Sequence, residues 1–202
     1  AMVTEVEMPP DPQFSTVILP GLYTVRKPPG PSAFSVVADT PKTRWPLCHG
    51  GALDPFAEGL MLVLVGPATK LFPLLHAAPK RYVATVKWGL ETDNGDLLGK
   101  PVAEGDAQRL TPAALDAALV PFLGWTDQVP PRHSNKRVGK ERAWVKAQRG
   151  DDFTLPPSRV YLHAAKWVSH ALPDHSVLEL QCRGGYYVRS LARELGRVLG
   201  AR

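Results

Sequence analysis

The apolar and polar positions of the chain predict a mixture of short strands and helices. Gly21-Leu-Tyr-Thr-Val-Arg-Lys27 reads as a strand from its β-branched and aromatic content. Lys80 to Gly89 alternates with period two, so that Tyr82, Ala84, Val86 and Trp88 share one face and Arg81, Val83, Thr85 and Lys87 the other. Arg159 to Ser169 and Ser176 to Arg183 read as two further strands around a Pro-Asp turn, and Leu60 to Val65 is an unbroken apolar run that predicts a fully buried element. Helical spacing appears over Thr111 to Leu123, with Thr111 as N-cap, Pro112 in the first position and Leu115, Leu119 and Phe122 on one face. Ala33 to Ala38 behind a Ser32 cap, Thr69 to Ala77 with Pro73 inside (short or kinked), and Gly139 to Gly150 are shorter helices. Beyond the Gly184-Gly185 break, a last helix runs through Leu191, Leu195 and Leu199. Pro28 to Ser32 can only be a loop, and Glu91 to Gly99 reads as a polar, turn-rich loop. Residues 1–16 read as a flexible extension, and the fold begins at Val17. Strands and helices are intermixed without a βαβ period, so the fold class is α+β.

One loop stands out. In His49-Gly-Gly-Ala-Leu-Asp-Pro-Phe-Ala-Glu-Gly59 a single carboxylate, Asp54, sits between a glycine pair and Pro55, directly before the buried run. Gly50 and Gly51 allow positive φ angles or close approach of a ligand. Taken alone the turn fits a capping aspartate as well as a catalytic one.

Composition narrows the classes. With 202 residues, 44% hydrophobic and 21% charged, the chain fits one large globular domain. No apolar run approaches the roughly 18 residues of a membrane span, and no secretory signal pattern opens the chain. Cys48 and Cys182 are far apart and have no CxxC partner, which suggests neither zinc nor a disulfide framework and fits a reducing, cytoplasmic setting. The net charge of +5 is unevenly spread: Arg132, Lys136, Arg137, Lys140, Arg142, Lys146 and Arg149 crowd one segment with Glu141 as counter-charge. Such a cluster suits an anionic partner or a solvated face.

Several separated segments together resemble the TruB family of tRNA pseudouridine synthases. Lys27-Pro-Pro-Gly-Pro-Ser32 resembles its KPxGxS motif, and the Asp54 loop resembles HxGTLDPxAxG. Lys80-Arg-Tyr82 and Gly89 to Gly99 resemble KRY and GxxTDTxDxxG. Gln128-Val-Pro-Pro131 with Lys140, Ala143 and Arg149-Gly150 follows QVPPxxSAxKxxGxxAYxxAR, and Cys182 to Gly196 resembles CSxGTYIRxLxxDLG. Six such segments fall in family order over residues 20–200.

The resemblance implies a pseudouridine synthase fold, a mixed and mainly antiparallel sheet flanked by helices and loops. It implies a catalytic domain over residues 17–202 with a basic RNA-gripping insertion near 128–157 and no PUA domain within this chain. The implied activity isomerises the T-loop uridine at tRNA position 55, by base flipping and an essential Asp, without metal or cofactor. The implied partner is the T-arm of tRNA, with the protein a monomer. Asp54 matches the nucleophile or base at the sugar, Arg189 the arginine that pairs with it, and Tyr82 the tyrosine that stacks on the base and serves its C5 proton. His49 and Tyr187 match substrate contacts, as do Lys136, Arg137 and Lys140 in the insertion. Lys27, Pro28, Gly51 and Leu53 match residues that support the loop.

Two departures from the pattern affect grip more than chemistry. Ala52 replaces the usual threonine, and His133 to Gly139 is one residue short and lacks the family's Tyr and Ala. An RNA-binding or tRNA-folding protein without activity is the alternative on the same scaffold. A glycoside-processing enzyme would want a second carboxylate at controlled separation, and Glu58 is the nearby candidate.

Overall fold

The computed structural model describes residues 18–40 and 43–202; the extension expected over residues 1–16, and Val17, lie outside the described residues. The chain divides into two compact units, the first through Ala78 and the second Pro79–Arg202.

In the first unit β1 (Gly21–Lys27), β2 (Leu47–His49) and β3 (Gly59–Val65) form an antiparallel sheet with β3 in the middle. The apolar run supplies that central strand: Met61, Val63, Leu64 and Val65 are at most 2% exposed, although Leu60 at the turn faces solvent. Helix α1 (Ala33–Ala38) starts where Ser32 accepts a hydrogen bond from the Ser35 N–H, and it adds Ala33, Val36 and Val37 to this core. Pro73 does not kink a longer helix. Residues Gly66–Leu71 form a 3-10 turn, and α2 (Phe72–Ala77) begins at Phe72, which puts Pro73 in a first turn where its missing N–H costs nothing.

The second unit is a four-stranded antiparallel sheet in the order β4 (Lys80–Lys87), β11 (His175–Cys182), β10 (Ser158–Ala171), β7 (Gly124–Gln128). Two pairs of short strands accompany it: β5 (Leu90–Thr92) with β6 (Pro101–Glu104), and β8 (Arg137–Val138) with β9 (Glu141–Arg142). Helices α3 (Pro112–Leu119) and α5 (Val188–Val198) cover one face. Leu115, Leu119, Leu191 and Leu195 there meet Val86, Leu162, Leu178 and Leu180 of the strands. The alternation of β4 holds: Tyr82, Ala84 and Val86 turn inward while Arg81, Val83, Thr85 and Lys87 are exposed.

Two expectations change, and one strand is added. Helix α3 ends at Leu119 because Pro121 interrupts the ladder and leaves a 3-10 turn. The helix expected from Gly139 begins only at Ala143 (α4, Ala143–Arg149), since β8 and β9 fold back on each other across Gly139 at φ 63°. Strand β7 is not among the predicted elements, because its Gly-Trp-Thr-Asp-Gln sequence carries little apolar signal and its pairing with β10 is non-local. Among the described residues no helix is long and apolar enough to cross a membrane.

Leu195 is fully buried and Val198, one turn further along α5, is 66% exposed. Leu195→Ala should destabilise the second unit by about 2–5 kcal/mol, whereas Val198→Ala should change it by less than about 0.5 kcal/mol. Urea unfolding followed by the fluorescence of Trp88 and Trp167, whose rings lie 5.8 Å apart in that core, measures both.

Candidate active site

Asp54 lies in the turn between β2 and β3, half-buried. The register of β1 on β3 pairs Lys27 with Gly59 and so sets the Lys27 side chain beneath that turn. Its ammonium donates to the carbonyls of Pro28 (2.9 Å), Pro55 (3.0 Å) and Ala57 (2.6 Å). Three N–H donors thus meet three acceptors, in a residue that is 0% exposed. Burial lowers the Lys27 pKa, and the nearby charge of Asp54 pulls it back up. The main chain adds two more ties, from the Gly30 N–H to the Pro55 carbonyl (2.7 Å) and from the Ala57 N–H to the Asp54 carbonyl (3.0 Å). Pro28 itself is exposed and contributes its carbonyl.

The glycine pair works differently from expectation. Neither Gly50 nor Gly51 takes a positive φ; Gly30 and Gly59 do. Gly50 is needed for space: a Cβ there would stand 3.0 Å from the Leu62 Cβ and 3.3 Å from a Leu75 methyl. Leu53 and Gly51 are half-buried and Ala52 is exposed. His49 ends β2 with its Nδ1 buried and without a hydrogen-bond partner among the described residues. Burial lowers its pKa and favours the neutral ring. Glu58, the second carboxylate of the loop, faces Arg26 at 3.7 Å on an open surface.

In the second unit Tyr82 is half-buried on β4, opposite Leu180, and packs against the main core. Arg189 is 8% exposed, one residue inside α5. Its guanidinium donates to the carbonyls of Asn94 (2.6 Å) and His133 (3.1 Å). Gly95, at φ 75°, lets the Asp93 to Gly99 loop close on Arg189, because a Cβ there would sit 3.2 Å from the Arg189 Cβ.

Two side chains that are not among the predicted site residues, Gln128 and Glu91, hold this region. Gln128, 7% exposed, accepts from the Tyr187 N–H at 2.9 Å and donates to the Tyr187 carbonyl at 3.0 Å. Next to it, the Val129 carbonyl accepts from the Ser190 hydroxyl (2.7 Å) and from Arg193 (2.9 Å). Glu91 ties the β5 segment to α5 through Arg197 at 2.6 Å. Burial pushes its carboxyl up, but the bonds and charges of Arg197, Arg202 and Arg193 outweigh this and hold it below the usual range. Gln128 was visible in the QVPP motif; what it grips, 59 residues away, was not.

The basic cluster separates into two groups. Arg149 and Lys146 are engaged by Glu141 and Asp151, and Arg132 donates to the Asp151 and Phe153 carbonyls while lying over the Phe153 ring at 4.4 Å. Lys136, Arg137 and Lys140 meet no carboxylate among the described residues, and Arg137 and Lys140 are exposed.

The N-terminal-domain model of the TruB family pseudouridylate synthases matches residues 44–188. The tRNA pseudouridine synthase B of Ruegeria pomeroyi is 38% identical over 185 residues, which cover 89% of this chain and 60% of that protein. The protein of the same name from Xanthomonas campestris pv. campestris is 42% identical over 152 residues, 75% of this chain and 49% of its own. Among solved structures, a chain of a Cbf5-Nop10-Gar1 complex shares the fold with a TM-score of 0.60 at 24% identity, over 90% of this chain and 46% of that one. The solved chain shares the fold and bears out the α+β expectation, and the class of proteins that the family model describes is the pseudouridylate synthases. Within that class the chain belongs to the TruB family. It spans about half the length of the curated relatives it matches.

Lys27→Met removes the ammonium and leaves its three buried carbonyls without their donor. At about 1–3 kcal/mol for an unsatisfied buried group, the first unit should lose roughly 3 kcal/mol, read as faster amide hydrogen exchange across β1 and β3. The ion pairs around Asp151 give a pH prediction. The Arg149 hydrogen bonds hold the Asp151 carboxyl down at about 2, below its unfolded value of about 4. Its stabilisation is therefore complete above about pH 4 and is lost as pH falls toward 2. Thermal unfolding midpoints across that range should fall more steeply for the wild type than for Asp151→Asn.

Proposed function

We propose that this chain is a tRNA pseudouridine synthase that converts the T-loop uridine at position 55 to pseudouridine. The observation that carries the reading is the buried Lys27 ammonium, which fixes the Asp54 turn through three carbonyls and lies close enough for Asp54 to act on its pKa. A turn built only to cap a helix has no use for a fully buried cation beneath it. The names of the curated relatives support tRNA as the substrate.

In this reading the target nucleotide is extruded from its loop, since the reacting atoms are covered while it is stacked. Asp54 acts at the sugar as nucleophile or base, and the N1–C1′ bond breaks. The freed uracil turns and C5 bonds to C1′; the C5 proton leaves to Tyr82 and N1 gains a proton. Uridine and pseudouridine are isomers, so atoms balance without a co-reactant. Arg189 supplies positive charge to the reaction. His49, in its neutral form, and Tyr187 contact the extruded nucleotide. Lys136, Arg137 and Lys140 hold phosphates, since the nearby carboxylates Glu141 and Asp151 are engaged by Lys146 and Arg149. Glu58, the other carboxylate of the loop, is paired with Arg26 on an open surface, which does not favour a two-carboxylate mechanism.

Incubation with an unmodified tRNA transcript, followed by chemical mapping of pseudouridine, tests this. Asp54→Asn should lower the rate by about 10³-fold or more, and Tyr82→Phe by about a hundredfold. If the wild type leaves the T-loop uridine unchanged, the reading is lost. Conversion by Asp54→Asn at the wild-type rate would instead remove Asp54 from the chemistry.

A further inference from the structure

The start of α5 carries Tyr187 and Arg189, yet its N-cap, Tyr187, caps nothing with its side chain. The capping region is organised from outside by Gln128 at the end of β7. The carboxamide offers one acceptor and one donor, and the backbone of Tyr187 requires both: its N–H meets Oε1 and its carbonyl meets Nε2. Those partners fix which way the amide faces. The Tyr187 carbonyl also accepts from the Ser190 and Leu191 N–H groups, the first bonds of the helix. Gln128 thus holds the helix where it begins, two residues before Arg189.

A second path leads from the same segment to the same guanidinium. Five residues after Gln128, the His133 carbonyl accepts from Arg189 Nη2, and between them Val129 is tied to Ser190 and Arg193. Residues 128–133 therefore set both the backbone that carries Arg189 and one of the carbonyls that aims its fork.

We propose that Gln128 is a positioning residue for Arg189, acting through the Tyr187 backbone. This rests on the reading of Arg189 given under Proposed function. Gln128→Glu changes one atom group and makes the proposal testable. The introduced carboxylate still accepts from the Tyr187 N–H but faces the Tyr187 carbonyl with a second acceptor. Protonation restores the donor, and burial raises the pKa of such a carboxyl so that protonation occurs in an accessible range.

The experiment measures single-turnover conversion of an unmodified T-arm transcript by wild type, Gln128→Glu and Gln128→Met. At about pH 8, Gln128→Glu should be about a hundredfold slower than wild type, the scale of a reacting group misplaced by an ångström, with transcript affinity within about twofold. Its rate relative to wild type should recover as pH falls toward about 5.5. Gln128→Met, similar in length and without either polar atom, should show the same loss and no recovery. A merely structural role would lower stability in both variants with no pH-dependent return of rate. Rates within about threefold of wild type, or equal recovery in both variants, overturn the proposal.

The Arg189 Nε–H resonance, assigned by its loss in Arg189→Lys, gives a readout independent of activity. It should shift in Gln128→Glu and return on acidification; an unchanged resonance also overturns the proposal. Failure of the wild type on the transcript would count against the tRNA reading, and the resonance would then decide the role of Gln128 by itself.

Discussion

The first unit depends on a buried cation. An ammonium with no exposure is expensive to desolvate unless every donor is answered, and the three carbonyls around Lys27 answer it fully. The arrangement has a direction. The strand that ends at Lys27 and the strand that begins at Gly59 are paired neighbours, so the charge can reach only the turn that joins β2 to β3. That turn loses freedom it would otherwise have beside two glycines and a proline. Asp54 is consequently held in a turn whose main chain is tied down from below.

The second unit solves a similar problem with a neutral group. Arg189 cannot be aimed by its helix alone, because the first turn of a helix leaves backbone groups without intrahelical partners. Gln128 supplies peptide-like partners from a neighbouring strand, and the Asn94 and His133 carbonyls take the guanidinium from two sides. The same segment continues into the basic insertion. There Glu141 and Asp151 engage Lys146 and Arg149, while Lys136, Arg137 and Lys140 meet no carboxylate among the described residues. Cations so disposed suit a surface that grips phosphate.

Much of the fold was legible in the chain because its signals are local. The alternation of β4, the apolar run of β3 and the Thr111 and Ser32 caps each depend on residues within one turn or one strand. What escaped was non-local or subtle. Strand β7 exists because β10 pairs with it, and nothing in Gly-Trp-Thr-Asp-Gln announces that. The helix at Ala143 was overextended because a two-residue hairpin across Gly139 resembles a helical first turn in composition. Gly50 takes no positive φ and instead meets crowding from Leu62 and Leu75; a sequence does not distinguish a glycine needed for φ from one needed for space.

The sequence by itself determined the α+β class, the family, and the residue types offered for chemistry: one carboxylate in a tight turn, a tyrosine on an alternating strand, an arginine at the head of an amphipathic helix. These are matters of pattern, and pattern is carried by neighbours along the chain. Tertiary structure alone decided what holds them. That Lys27 lies under the Asp54 turn, that Gln128 bridges to Tyr187 and that Glu91 takes Arg197 are facts about groups 28 to 106 residues apart. Hydrogen bonds between buried groups are set by where strands and helices come to rest, and only the folded chain fixes that.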